Sequence, residues 1–467
     1  MKSSIQNSLV ILLAVIWVFT SQTFVAADST NLKDCFNGTF DPNQDYFPEK
    51  ITVKNAIYFT IKYSKNYKLL TNTYTKENFA LYQCGTPKPA TTDLPAGTKI
   101  FSVPVKNVAV LDTTSNTYLE LLGLRSYITY EDSSSASFVS SPCIQALENS
   151  TITALSGNST QKTQDFQKVD LVIGAYSADN TTNNSVSTSA ANDPGTLNRI
   201  EWLKFYAVFF NLEAKAENLT AQLDNNYSCL KNLATSKASS SQPLIAWAAY
   251  EAPSQYNNNT ASWAITDGIY KKQLTEDAGA KYFNSTTLTF STSADFLKAI
   301  ENVDILIDET YIAPTYNDVL KNYGISSADN STYKFVKNKQ VYREDGLVNP
   351  NDGRDWLESA IVMEDAVLED VMNVINSNLP VSGYNRIWLR NVATNEPQKV
   401  SSAANCTDSK ATITSRAVTC PAGGANNNNT STSKNTSGNT SDKTYHFDLI
   451  TSITAALFAS MFSIMMI

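Results

Sequence analysis

Val108-Ala-Val-Leu-Asp-Thr-Thr-Ser115 joins an apolar β-branched run to four residues whose side chains cap helices, and Thr117 to Leu122 then follows at helical spacing. The strand is expected to span Val103 to Leu111. Ser126 to Tyr130 and Leu171 to Gly174 are further short runs of the kind that form buried strands. Strand, helix and strand in this order predict a largely parallel sheet, and so an α/β fold.

Upstream, Ala56 to Tyr63, Tyr67 to Leu70 and Phe79 to Cys84 are aromatic and β-branched, with a polar Ser-Lys-Asn turn after the first. They predict a β-hairpin plus a third strand ahead of the first lobe. Downstream, residues 177–196 are expected to form a loop. From Leu197 to Leu233, Trp202, Phe205, Tyr206, Phe209, Leu219 and Leu223 recur at helical spacing, which predicts one long helix with a wide apolar face. The alternation then repeats: strands at Pro243 to Ala249 and Val303 to Ile307, helices at Thr266 to Gly279 and Ala294 to Ile300. Tyr333 to Tyr342 leads into a strand, Asp355 to Asn376 is a closing helix, and Ile387 to Arg390 adds an edge strand. The expectation is two α/β lobes with central, mainly parallel sheets, joined by one long interlobe helix. Its segments are a first lobe at 28–196, a helix at 197–233, a second lobe at 234–353 and a closing helix with disulfide-containing extension at 354–420.

The 467 residues are long enough for two such lobes. Lys+Arg is 36 against Asp+Glu 44, a net charge of −8 with no basic block, which argues against nucleic acid as a partner. The one histidine, His446, lies in the terminal tail, which argues against His-ligated metal, haem iron and His-based nucleophilic catalysis. No C-x-x-C pair exists, so neither a cysteine metal site nor a resident cofactor is expected.

The ends carry addressing signals. Lys2, the apolar run Leu9 to Phe19 and Val25-Ala-Ala27 have the layout of a secretory signal peptide over residues 1–27. Residues 421–448 are an Asn/Ser/Thr-rich stalk, and Leu449 to Ile467 is an apolar tail with no charge after it. The small triplet Ser437-Gly-Asn439, a polar spacer and that tail match the pattern for a glycosylphosphatidylinositol (GPI) anchor, with Ser437 as the attachment residue. Sequons begin at Asn37, Asn149, Asn158, Asn180, Asn183, Asn218, Asn226, Asn258, Asn284, Asn330 and Asn405, as expected of a glycosylated surface. Six cysteines (Cys35, Cys84, Cys143, Cys229, Cys406, Cys420) suit an oxidising compartment and allow fifteen pairings; Cys406 with Cys420 is expected as a local loop.

Over roughly residues 46–378 the ordered segments resemble the helix-hinged, two-lobed solute-binding proteins (class III) that deliver iron-siderophores and cobalamin to importers. Val108 to Asp112 with Leu119-Glu-Leu-Leu-Gly-Leu-Arg125 resembles their first strand, helix and turn, and Asp170-Leu-Val-Ile-Gly174 their "P-D-L-V-I" strand. Asn211-Leu-Glu-Ala-Lys-Ala-Glu217 is similar to their interlobe helix. Val303-Asp-Ile-Leu-Ile-Asp308 and Val336-Lys-Asn-Lys-Gln-Val-Tyr342 resemble strands of their second lobe. The sequons and the anchor pattern, which depart from the bacterial pattern, point to a secreted, GPI-anchored eukaryotic version.

What this implies is a small-molecule ligand, such as an iron-siderophore, haem or a corrinoid, in the cleft between lobes, met by loops at the carboxyl ends of strands. The first lobe then offers Asp112, Thr113, Thr114 and Ser115, Tyr130 and Glu131, and Tyr176. The second offers Trp247, Tyr250 and Glu251, Glu309, Thr310 and Tyr311, with Arg343, Asn349 and Arg354 on the last loops. Aromatic rings stack on planar ligands, and Arg neutralises an anionic chelate. A GPI lipid is the expected membrane link. A wall-structural or adhesive glycoprotein is the alternative, which accounts for the stalk and glycans but not for two α/β lobes. An enzyme would need carboxylates such as Asp308 and Glu309, whose adjacent positions on a strand face opposite ways.

Overall fold

The structure is a computed structural model, and it describes residues 30–148, 150–174, 182–326, 332–416 and 418–419. The signal-like start, Tyr176, the stalk, Ser437 and the apolar tail lie outside the described residues.

Three sheets carry the fold. β1 (Phe59–Tyr63), β2 (Tyr67–Asn72), β3 (Glu77–Gln83) and β4 (Lys99–Val103) pair in that order; the expected hairpin with its third strand is thus a four-stranded sheet. In the first lobe, β5 (Val108–Val110), β6 (Ile128–Glu131), β7 (Thr153–Ala154), β8 (Leu171–Gly174) and β9 (Ser185–Ser187) form a parallel sheet in the order β7-β6-β5-β8-β9. In the second lobe, β10 (Leu244–Glu251), β14 (Ile305–Asp308) and β15 (Val341–Arg343) run parallel. β11 (Ser262–Ile265) pairs antiparallel with β10, and β13 (Thr289–Phe290) pairs antiparallel with β11 at the edge; β12 (Lys281–Tyr282) pairs with the start of β10, and β17 (Arg390–Asn391) closes the far edge. β16 (Leu347–Val348) pairs with β18 (Lys399–Val400) in a separate two-stranded sheet.

The parallel strands are apolar on both faces because each face is covered. Along β10, Ile245 and Trp247 enter one core cluster while Ala246 and Ala248 enter another, and on β14 Ile305 and Ile307 alternate with Leu306 in the same way.

Four elements differ from the sequence expectation. The strand expected from Val103 to Leu111 is divided, since Pro104 has no N–H to give a ladder. β9 lies inside the expected loop, where only Val186 is apolar among serines. The stretch 197–233 is two helices, Thr196–Ala207 and Glu213–Lys237, separated at Asn211 (φ 55°). There the Asn211 side chain accepts from Lys68 Nζ (2.8 Å) and donates to Leu32 O (2.7 Å) and Gln83 Oε1 (2.8 Å), so the left-handed turn is fixed by its partners. The 25-residue second helix spans both lobes: Ala216 and Leu223 pack in the first core, Leu230 and Ala234 in the second. Finally, the closing helix is a short 3-10 turn, Asp355–Leu357, followed by a helix at Glu364–Ile375.

The disulfides join distant segments. Cys35 pairs with Cys84 and Cys143 with Cys406, so the expected local Cys406–Cys420 loop is corrected. Cys229 is also disulfide-bonded, and Cys420 lies outside the described residues. Among the sequons, Asn37, Asn158, Asn183, Asn218, Asn258, Asn284 and Asn405 are exposed, whereas Asn149, Asn180 and Asn330 are outside the described residues. Asn226 is a correction. It is 5% exposed, and its Nδ2 donates to Asp365 Oδ2 (2.8 Å) and Arg416 O (2.7 Å), which leaves no space for a sugar.

Candidate functional site

Parallel strands deliver their carboxyl ends to the line where the lobes meet. On the first lobe, Asp112 Oδ1 accepts from Ser115 N (2.8 Å), and the buried Ser115 hydroxyl is 2.9 Å from Tyr206 Oη. Thr113 precedes the helix Thr114–Leu121, and Thr114 Oγ1 donates across the interface to Leu357 O (3.0 Å). On the second lobe, Glu309 holds the buried Lys271 and accepts from Thr266 Oγ1. Burial opposes the Lys271 charge, but the Glu309 carboxylate beside it raises its pKa above the ordinary lysine value. Desolvation and then Glu309 push the buried Glu344 carboxyl well up, so it keeps its proton.

The expected ligand contacts do not converge. Trp247 is core: fully buried, it donates to Thr275 Oγ1 (3.0 Å) and lies 6.0 Å from the Trp356 ring. Arg343 is enclosed by Asp308, Asp345 (3.0 Å) and Thr310 O (2.7 Å), so its guanidinium does not face a chelate. Arg354 donates to the carbonyls of Thr310 (2.8 Å) and Tyr311 and lies over the Tyr311 ring. Tyr250 packs on Trp263, and Glu251 ends β10 in solvent. Tyr130 packs against the small core cluster that contains Ala109, Leu155 and Phe166, and Tyr311 is 62% exposed.

The lobes touch closely along one seam. Glu358 accepts from the backbone of Ser140 (2.7 Å) and Ser141 (3.1 Å), and Asp355 accepts from Ser140 Oγ. Asn349 Nδ2 donates to the carbonyls of Ser137 (2.8 Å) and Val139 (3.0 Å). These bonds divert residues 355–358 from a continuous helix. Beside the seam is a cavity of about 220 Å³, walled by the first lobe at Glu131, Ala136, Ser137, Gln145, Glu148 and Ile152, and roofed by Asn349, Pro350 and Asn351 of the second.

Glu131 ends β6 and is among the residues that line this cavity. It is 3% exposed; its Oε1 accepts from Asn116 Nδ2 (3.1 Å), and its Oε2 has no hydrogen-bond partner among the described residues. Desolvation by burial, reinforced by Glu148 and Glu120, pushes the carboxyl up to about 8. Burial raises Glu148 too, and its Oε1 is likewise unpartnered. Strand-end position marked Glu131 in the sequence. Glu148, Gln145 and Asn351 carried no signal, because a local turn and a long-range docking bring them there.

No protein-family model matches the chain, and no curated protein matches it. Similar solved structures include a periplasmic haem-binding protein from Pseudomonas aeruginosa (12% identity, 63% of this chain and 99% of that one, TM-score 0.43). Another is the Helicobacter pylori protein Ceue with Ni(II) bound (12% identity, 60% and 86%, TM-score 0.41). A third is the siderophore-binding protein BauB with acinetobactin and ferric iron (15% identity, 58% and 93%, TM-score 0.42).

Proposed function

We propose that this chain is a solute-binding protein of the cell surface that holds a small ligand in the cavity between its two lobes, binding it without turnover. One observation carries the reading. At the carboxyl ends of a parallel sheet, a cavity of about 220 Å³ lies between the two lobes, and the buried Glu131 is one of the residues that line it. The cavity is below the ~300–1,000 Å³ of sites for drug-sized ligands, which favours a solute smaller than haem, a corrinoid or a ferric chelate. Secretion and a GPI lipid complete the reading.

The test is a thermal-shift screen of the purified protein with amines, amino acids, sugars, ferric chelates, haem and a corrinoid. A ligand raises the melting temperature by mass action. Ala136→Trp, which fills the cavity, abolishes that rise while the unliganded melt is kept. The reading falls if no compound raises the melt or if Ala136→Trp responds like the parent. Release from intact cells by a phosphatidylinositol-specific phospholipase tests the anchor, and retention on the cells overturns it.

A further inference from the structure

We propose that Asn258 carries an N-linked glycan whose first sugar lays its C–H face on the exposed Tyr256 ring, so that the modified side chain becomes part of the turn between β10 and β11. This goes beyond the solute-binding reading and shares with it only passage through a secretory compartment.

The turn is closed by its own backbone and by Asn257. Ser254 O accepts from Asn257 N (3.2 Å) and Asn259 N (2.8 Å), and Asn257 O accepts from Thr260 N (3.1 Å) and Thr260 Oγ1 (2.8 Å). The Asn257 side chain ties the base, accepting from Ser254 N (2.7 Å) and donating to Ala252 O (2.9 Å). Asn258 and Asn259 are left-handed (φ 56° and 54°), a conformation that Asn adopts more readily than most residues. Two side chains of this frame have no partner among the described residues. Tyr256 is 74% exposed, more than any other large apolar side chain described, and its ring and hydroxyl meet no aromatic or polar group. Asn258 is exposed, and its side-chain amide makes no hydrogen bond.

Spacing pairs them. Two residues apart, their Cα atoms lie within ~7.6 Å of each other, a span that an amide linkage and one sugar ring can cover. The face of a phenol ring is negative, and the C–H groups of a pyranose are polarised positive by its oxygens, so the two attract as the ring leaves water. Asn284 gives the contrast. Tyr282 also stands two residues ahead of it, but that ring is half-buried and its hydroxyl donates to Thr266 O, so it is already committed. Asn158, Asn218 and Asn405 have Ser156, Ala216 and Ala403 at the same place.

The covalent step uses a polyprenyl-diphosphate-linked oligosaccharide as donor. A bond forms between Asn258 Nδ2 and C1 of N-acetylglucosamine, and the C1–O bond to the diphosphate breaks. The lipid diphosphate leaves with the electron pair, and the amide gives up one proton.

The experiment uses the full chain purified from eukaryotic cells that secrete it, with peptide mass spectrometry for occupancy and amide exchange for the turn. Asn258 is expected to be occupied. Exchange over residues 252–260 should be about two- to tenfold faster in Tyr256→Ala and close to the parent in Tyr256→Phe, which keeps the ring. Asn258→Asp removes the sugar and still accepts the left-handed turn, and in that background Tyr256→Ala should change nothing further. A melting curve confirms that each variant is folded. Asn258 found bare while Asn218 carries a sugar overturns the site and leaves secretion standing. If no sequon is modified, this inference and the secreted reading both fall, while the solute screen still decides the cavity. Occupied Asn258 with Tyr256→Ala exchanging like the parent overturns the packing of sugar on ring. Faster exchange that persists in the Asn258→Asp background overturns it as well, since the ring would then serve the turn without the sugar.

Discussion

Lys68 Nζ lies 2.7 Å from Glu213 Oε1 with both side chains fully buried, linking the second strand of the N-terminal sheet to the first residue of the interlobe helix. The same ammonium donates to Val208 O (2.6 Å) and Asn211 Oδ1 (2.8 Å), so it also holds the break between the two helices. Lys68→Ala strands a carboxylate in the core and is expected to cost about 3–5 kcal/mol in denaturant unfolding. Lys68→Met with Glu213→Leu should cost clearly less. Equal losses would show that the charge pair is not what the core depends on.

Glu131 makes stability depend on pH with a definite sign. Its folded pKa of about 8 lies above the ordinary 4.5, so the native protein keeps a proton that the unfolded chain releases. Stability contributed by the neutral carboxyl is therefore full below about pH 4.5 and declines as pH rises to about 8, by roughly 2–4 kcal/mol. Glu131→Gln removes this slope, and its advantage over the parent should widen between urea titrations at pH 5 and pH 8. Glu364, also raised to about 8 by burial, retains a slope of its own in both proteins. Curves that stay parallel would contradict the assignment.

The Cys143–Cys406 disulfide spans 263 residues and fastens the C-terminal extension to the first lobe. Its loss in Cys143→Ser/Cys406→Ser is expected to destabilise by roughly 3–5 kcal/mol. Amide exchange should quicken first around Ala403–Asn405, where the extension leaves its pairing with β16. Unchanged exchange there would show that Arg125, which donates to Ser409 O (2.7 Å) and Ala411 O (2.9 Å), suffices as the clasp.

Glycan occupancy should divide two sequons on one helix. Asn218 faces solvent and Asn226 is buried, although they are eight residues apart. Mass spectrometry of enzymatically deglycosylated peptides is expected to find the mark at Asn218 and unmodified Asn226. A sugar at Asn226 would mean that the Asp365 contact is absent in the glycosylated protein.

The strands were legible because their signal is local. Leu171–Gly174 was readable to the residue, since an apolar run covered on both faces needs no partner to be recognised. Ser185–Ser187 was not, because its place in the sheet is held by backbone pairing with β8 and one buried valine. The candidate site follows the same division. Glu131 could be placed at a strand end, yet Trp247 and Arg343, equally well placed, turn into the core and into ion pairs.

By itself the sequence determined the α/β class, the two lobes and the long helix between them, since apolar periodicity and capping residues act within a few positions of themselves. Tertiary structure alone decided where that helix breaks, which cysteines join and which strand-end side chains face open space. Those outcomes depend on groups more than a hundred residues apart, such as Lys68 with Asn211 and Ser140 with Glu358, meeting in a low-dielectric interior where an unmatched partner is costly.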